Sequence, residues 1–447
     1  MIEVEKKGIP TVAWCDDGFI EDAKMSARVS GATGFGIAVL PGPSAQLPAA
    51  ENYEQVAGSI NSVIEYLTKP VPPFESDGEA SADKVLNIKG SDLLDATEKF
   101  NRYCLEKGIS DGFPLVPPTP QAVEKMLAGT RLPKEQVIGI LEPGRGIATV
   151  EKIAINAVMA GCRPEHMPVL ITVIKCVSDP VMTLRRNIAS TGANAPFMLI
   201  NGPIAKRLNI NSKCSALDPG SPSYANIVIG RALSLMLLNI AQGYPGIGSM
   251  STIGSSLNYS SCVAENEDAS PWVPYQVEKG FGKDVSTLTL MFVRGGTTYG
   301  DLTSNTAESM ARGASWIASR AMNTDALWLV SHGEEKLAVI QGTRNLFLIC
   351  PAHAKVLAKE GWDKKALRQY LYDHARLPFD VLMFGKEPAL VQKEHPQFYA
   401  ALKDYPSVPL PIVSTPNNFE IAVVGGVGPC SSYYEGHGAV ITMPIEE

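Results

Sequence analysis

The clearest alternation of apolar and polar positions lies at 142–162, Glu-Pro-Gly-Arg-Gly-Ile-Ala-Thr-Val-Glu-Lys-Ile-Ala-Ile-Asn-Ala-Val-Met-Ala-Gly-Cys. Val150, Ile153, Ala154, Ala157 and Val158 recur at i, i+3, i+4, i+7 and i+8, which predicts one buried helical face and leaves Glu151, Lys152 and Asn156 on the other. Thr149 is placed to N-cap this helix and Gly161 to end it. Gly144 and Gly146 precede the cap, and a glycine turn at a helix N-terminus suits a substrate carboxylate or phosphate. A plain tight turn before a capped helix accounts for the same residues, since the spacing matches neither a dinucleotide fingerprint nor a P-loop.

Short apolar runs and amphipathic segments alternate at the N-terminus. A helix ends at 3–9, a strand follows at 10–15, a helix at 16–29, a strand at 34–40 and a helix at 54–67. This β-α-β-α order predicts a parallel sheet, a partial Rossmann- or flavodoxin-like module over 1–70, in which two strands and two helices bury too little surface to stand alone. Residues 70–84 are rich in Pro, Ser and acid, so 71–90 reads as a linker. Beyond it, helices are predicted at 90–107, 120–128, 225–243, 307–321, 352–359 and 364–375, and strands at 197–200, 326–330, 337–341, 346–349 and 421–424. Strands and helices again alternate, which predicts a large α/β or α+β domain over 91–447 with two lobes.

Length and charge narrow the function classes. The 447 residues suit two or three domains, and 39 Lys and Arg against 46 Asp and Glu give a net charge of −7 with no basic block. Nothing favours a nucleic acid or an anionic membrane as partner. The apolar runs at 167–177 and 225–241 are interrupted by Pro168, Lys175, Arg231 and Asn239 and read as core helices. The first residues, Met-Ile-Glu-Val-Glu-Lys-Lys, carry no signal-peptide pattern, and the eight cysteines form no Cys-x-x-Cys pair, so a cytoplasmic protein with reduced thiols is expected. The six histidines, at 166, 332, 353, 374, 395 and 437, have no metal-ligand spacing, and no cofactor motif is evident.

Four polar stretches inside apolar surroundings are candidates for chemistry. The first is 142–162, contributing Gly144, Gly146, Thr149, Glu151, Lys152 and Asn156. In the second, Ser-Thr-Gly-Ala-Asn-Ala-Pro at 190–196 leads into a strand ending at Asn201, which offers Asn194 and Asn201 as ligand contacts. The third is the helix with Arg231 and Asn239 in its apolar interior. A buried arginine keeps its charge, so Arg231 either pairs with Glu142, Glu151 or Glu265 or anchors an anionic substrate. In the fourth, Glu265 and Asn266 lie near Cys262, where the carboxylate would serve as general base. Apart from these, Cys430, Glu435 and His437 share a glycine-rich stretch after a strand, where a thiol and an imidazole can approach each other, though glycines serving tight turns explain it as well. Asp111 before Gly112 reads as an Asx turn, and Cys104, Cys176 and Cys350 read as inert core thiols.

The segment Glu5-Lys6-Lys7-Gly8-Ile9-Pro10-Thr11-Val12, followed by the apolar Leu40-Pro41 turn, resembles the second half of the UGSC family of selenoproteins and their cysteine homologues, and more distantly the selenoprotein B component of glycine and betaine reductases. In that family a Cys-or-Sec-Gly-Ser-Cys motif precedes this helix and carries the reactive thiolate or selenolate. This sequence begins after it. The resemblance therefore leaves three origins for the nucleophile: a partner chain bearing the motif, a gene start assigned downstream of a UGA codon, or a copy that has lost it. Cys15, beside Asp16 and Asp17, is a poor substitute. From about residue 91 onward, Asp111-Gly112-Phe113-Pro114, Ala148-Thr149-Val150-Glu151-Lys152, Asn201-Gly202-Pro203, Gly230-Arg231-Ala232, Glu265-Asn266 and Ser270-Pro271-Trp272 resemble the large domain fused to UGSC modules.

The resemblance implies a small-molecule enzyme with thiol or selenol chemistry, a reductive cleavage or a thiol-mediated lyase step. Its anionic substrate would be held by Arg231, Asn201, Asn156 and Glu265, with an external dithiol as reductant and an oligomeric assembly. Two alternatives stay open. One is a hydrolase or lyase using Glu151 and Lys152, or Cys430 and His437; the other is a noncatalytic ligand-binding subunit of a redox complex.

Overall fold

The computed structural model describes residues 2–70, 85–320, 344–377 and 410–446, apart from 33, 43, 45, 46 and 414, together with 389, 392, 393 and 396. The strands expected at 326–330 and 337–341, His332, His395 and most of the predicted linker lie outside these residues.

In the N-terminal segment, α1 (Ile2–Glu5) leads to β1 (Val12–Asp16), α2 (Ile20–Val29), β2 (Gly36–Leu40) and α3 (Ala49–Thr68). The two strands pair in parallel, Val12 opposite Gly36 through Asp16 opposite Leu40, as the β-α-β-α pattern predicts. Gly36 is required by packing: a Cβ there would meet the Tyr66 ring of α3 at 2.7 Å.

The remainder is α/β with a mixed sheet. Its helices are α4 (Leu93–Glu106), α5 (Pro120–Leu127), α6 (Val150–Ala160), α7 (Met167–Ser178), α8 (Leu184–Ile188), α9 (Pro203–Arg207), α10 (Tyr224–Asn239), α11 (Tyr275–Glu278), α12 (Ala307–Arg320), α13 (Pro351–Lys359) and α14 (Lys364–His374). Two small antiparallel pairs, β3 (Val137–Leu141) with β4 (Gly146–Thr149) and β9 (Arg376–Leu377) with β10 (Leu410–Pro411), stand apart from the main sheet. That sheet contains β5 (Ala195–Asn201), β6 (Cys262–Ala264), β7 (Thr287–Gly300), β8 (Asn345–Ile349), β11 (Phe419–Val423) and β12 (Cys430–Pro444), in the order β11-β8-β12-β7-β5-β6. The outer pairs β11/β8 and β5/β6 are parallel, while β7 and β12 run antiparallel to their neighbours. The long strands β7 and β12 are not among the elements predicted from the pattern, because Gly295, Gly296, Gly300, Gly436 and Gly438 interrupt their apolar alternation.

The sheet coils until its two edges meet. Asn266, just after β6, donates its backbone N–H to Val423 O of β11 at 2.7 Å. Alternation along each strand then sorts three cores. Phe197, Leu199, Val263, Met291, Leu348 and Ala422 face inward. On the outer face, Met198, Ile200, Leu290 and Phe292 pack under α6, α7 and α10, whereas Phe347, Ile349, Phe419 and Ile421 pack under α12, α13 and α14. Helix α7 is buried along almost its whole length, as its apolar run predicts. Among the described residues no single helix is long and apolar enough to cross a membrane.

Candidate functional site

The turn at 142–145 closes the β3/β4 hairpin instead of opening directly into a helix. Thr149 does cap α6, accepting from Lys152 N at 3.2 Å, and Gly161 ends it in the left-handed region. The other first-turn amides are also occupied: Val150 N donates to Gln136 O at 3.0 Å and Glu151 N to Lys134 O at 2.9 Å. That helix end thus holds its own acceptors where an anion was expected. Gly144 and Gly146 serve contact between backbones, since Gly144 N donates to Ala241 O at 2.8 Å and a Cβ on Gly146 would lie 1.8 Å from Ile240 O. Glu151 lies 3.7 Å from Lys134 at the surface. Asn156 is not on the solvent face but buried between α6 and α10, where Asn239 Nδ2 donates to its Oδ1 at 2.8 Å.

Arg231 pairs with a residue outside the three acids proposed for it. Its Nε and Nη2 donate to Asp111 Oδ2 and Oδ1 at 2.6 and 3.0 Å, and Nη2 also reaches Pro114 O at 3.0 Å. Asp111 makes the expected Asx turn as well, accepting from Phe113 N at 3.2 Å. Its charge is thus matched within the chain, the ion-pair alternative for a buried arginine.

Asp111 lines a cavity of about 670 Å³ together with Asn194, Ser234, Ser249, Tyr259 and Phe292. Beneath it His437 and Asn194 meet: His437 Nδ1 lies 2.8 Å from Asn187 Oδ1 and 3.3 Å from Asn194 Nδ2. Arg294 Nε donates to Asn194 Oδ1 at 3.2 Å and its Nη1 lies 3.7 Å from Glu435 Oε1. Two residues singled out on separate stretches, Asn194 and His437, are therefore one polar floor.

Asn201, Glu265 and Asn266 form a second group, at the carboxyl ends of the parallel pair β5/β6, where α/β sheets commonly bind ligands. Glu265 and Asn266 line a cavity of about 350 Å³ with Lys206, Lys213 and Glu267. Burial raises the Glu265 carboxyl, opposed by Lys364 and by hydrogen bonds. Its Oε2 accepts from Asn201 Nδ2 and Tyr275 N, each at 2.6 Å, and its Oε1 from Val423 N at 3.3 Å and Lys364 Nζ at 3.4 Å. Lys364 bridges to Glu278, which Arg368 holds in turn. A carboxylate so fully surrounded by donors ties β6, β11 and α14 together, and is poorly placed to take a substrate proton.

Cys430 and His437 do not approach each other. They occupy one extended strand, β12, seven positions apart, and at about 3.3 Å per residue this separates them by roughly 20 Å. Gly425, Gly426 and Gly428 do lie in a loop, between β11 and β12, but Cys430 already begins the strand and Gly436 sits at the bulge of the β7/β12 ladder. A different thiol and imidazole come together. Cys350 is buried, as its apolar run predicts, and is also the N-cap of α13, with its Sγ accepting from His353 N at 3.5 Å. His353 Nδ1 is 2.7 Å from Ser431 Oγ, which also accepts from Cys350 N at 3.0 Å, and His353 Nε2 donates to Asp301 O at 3.3 Å. Burial acts against the Cys350 thiolate, but its bonds with His353 and Ser431 outweigh that and hold the thiol below its ordinary value. Burial likewise pulls His353 down, yet Cys350 and the Asp301 carbonyl lift it above an ordinary imidazole. The sequence signal was Cys350-Pro351-Ala352-His353 directly after an apolar strand: proline at N1 marks the cysteine as cap and puts the histidine over it. Among the described residues no group of three or more His, Cys, Asp or Glu side chains is placed to hold a metal ion.

The N-terminal segment reaches the rim of the larger cavity. Ser26 of α2 accepts a hydrogen bond from Arg185, which lies 3.9 Å from Glu142 of the hairpin turn. Beside it, Met25 is buried, and a Cβ on Gly248 would come within 3.2 Å of its Cε. Gly248 belongs to the loop that continues through Ser249 to Tyr259 along the cavity wall.

Residues 1–69 match the model of the UGSC family. No curated protein and no solved structure matches the chain.

Proposed function

We propose that this chain is the substrate-holding part of a small-molecule enzyme using thiol or selenol chemistry, a reductive cleavage or a thiol-mediated lyase step. The observation that carries the reading is the seat of the UGSC-like segment: α2 rests through Met25 and Ser26 on Gly248 and Arg185, at the loop whose continuation walls the 670 Å³ cavity. A reactive group carried by a UGSC-type motif next to this segment would be delivered to that cavity. The motif itself would come from sequence or a partner chain beyond these residues, and a dithiol would return it to the reduced state.

The lining favours a polar substrate held by hydrogen bonds. Ser110, Ser234, Ser249, Ser255, Asn194 and Asn258 line it, while Ile188, Leu237 and Phe292 give an apolar side. Arg231, expected to hold an anionic substrate, pairs with Asp111 and is not among the residues that line this cavity. A cytoplasmic location and an oligomeric enzyme belong to the same reading. Mass spectrometry on protein isolated from its native host, with thiols and selenols alkylated, tests it. A stoichiometric Cys-or-Sec-Gly-Ser-Cys peptide, joined to this chain or co-purifying with it, is expected; a preparation that turns over substrate without such a peptide contradicts it.

A further inference from the structure

The 20-residue helix α3 carries two stripes along its length, and the fold of the N-terminal segment uses one of them. On that side Val63 is buried, Ser59 Oγ accepts from Trp14 Nε1 at 2.8 Å, and the Tyr66 ring lies against Gly36. The other stripe is Ala50, Tyr53, Ala57, Ile60, Ile64 and Leu67, every member exposed. Tyr53 is 75 % exposed and Ile64 53 %, so these side chains find little cover within the protomer. Successive members stand three and four positions apart in strict alternation. A single exposed apolar residue is ordinary, but a seam kept at this period over the whole helix is the surface on which a second helix seats its knobs.

We infer that α3 is a dimer seam, which packs antiparallel on α3 of a second copy of this chain across a two-fold axis at Ile60. A two-fold axis makes one stripe complementary to itself, so the same residues serve on both sides. In this alignment Ile60 meets its own copy, Tyr53 meets the partner's Leu67, and Glu51 comes level with the partner's Lys69. Lys69 touches Glu65 of its own helix at 2.5 Å, and the partner's Glu51 adds a second acid to it. The parallel arrangement instead sets Glu51, Glu54 and Glu65 each beside its own copy and aligns the two helix dipoles. Charge therefore selects the antiparallel pair. The pairing gives the oligomer a surface, and it stands whether or not the 670 Å³ cavity holds a substrate.

Sedimentation velocity on the full chain, over about 1 to 100 µM, tests the association. A dimer is expected, and Ile60→Glu with Ile64→Glu should weaken it by about tenfold or more. Its circular dichroism should stay unchanged, because both side chains face solvent in the protomer. A chain that is monomeric throughout, or a double variant that associates as before, overturns the inference. Mild oxidation in a Cys214→Ser, Cys430→Ser background tests the orientation, since these are the exposed thiols. Ile60→Cys alone should link two chains. Tyr53→Cys alone should not, because it lies about 21 Å along the axis from its own copy, whereas Tyr53→Cys combined with Leu67→Cys should. Val427→Cys, on a fully exposed side chain, sets the rate of chance collision. Linkage through Ile60→Cys no faster than through Val427→Cys overturns the seam, and linkage through Tyr53→Cys alone overturns its direction. So does material from the native host in which α3 crosslinks to a different polypeptide and not to its own copy.

Discussion

Arg231 holds Asp111 through two parallel hydrogen bonds, 2.6 and 3.0 Å, joining α10 to the 110–114 segment across 120 positions of chain. The side chains are 15 % and 12 % exposed, so the pair is largely removed from water. Asp111→Ala leaves the guanidinium facing only the carbonyls of Phe113 and Pro114 and is expected to cost about 3 kcal/mol. Urea denaturation measures it, and Asp111→Leu combined with Arg231→Met should recover a large part of the loss. A double variant as unstable as the sum of its parts would mean that the pair adds nothing as a pair.

Gly146 is fixed by the backbone opposite it. With Ile240 O 1.8 Å from an added Cβ, Gly146→Ala must push β4 off the end of α10, at an expected cost of 2 kcal/mol or more, on the order of an overpacked core. Gly295→Ala, where a Cβ meets nothing within 4 Å, is the matched control and should change the melting temperature little.

His166 gives the fold an acid-sensitive point. Burial pushes its imidazole down to about 4, and its Nδ1 accepts from Arg163 N at 3.2 Å, which suits the neutral ring. The unfolded chain protonates this histidine near pH 6.5 and the folded chain only near 4, so the folded state loses stability as pH falls through that window. The full loss is about 3 kcal/mol. Denaturation midpoints from pH 7.5 to 4 should show it, and His166→Gln should flatten that part of the profile.

Glu265 is expected to matter to folding more than to proton transfer. Glu265→Gln places an amide N–H₂ among four donors and leaves Lys364 with Glu278 alone, at a cost of about 3 kcal/mol. Thermal melts check this. A variant that melts like the original protein would remove the argument for its structural role and return it to the candidates for general base.

Local patterns in the sequence were enough for helices and for much of the alternation. Thr149, Gly161 and the Val150–Val158 stripe specify α6 through cap and period alone, and the order of runs over 10–67 specifies the parallel pair β1/β2. What stayed hidden depends on distant partners. Asp111 was legible as an Asx turn because that bond spans two residues, whereas its bond to Arg231 spans 120. Asn156 belongs to the polar face of the α6 wheel and is nevertheless buried, because Asn239 from α10 satisfies it. The pairing of His437 with Asn194 crosses 243 positions and no periodicity announces it. Cys430 and His437 misled for the opposite reason: nearness in sequence became distance along an extended strand. Cys350 was legible as a core thiol from its apolar neighbours and is buried, and its second role as cap of α13 was legible in Cys-Pro-x-His.

The most direct test of the account is where a UGSC-type thiol or selenol lands on this chain. The complex is isolated from its native host, the motif's reactive group is labelled with benzophenone maleimide, and the photocrosslinked peptides are mapped. Crosslinks within 243–259, the loop between Met25 and the 670 Å³ cavity, are the predicted result. Crosslinks confined to the α12–α14 side, or a catalytically active preparation with no such group to label, would contradict it.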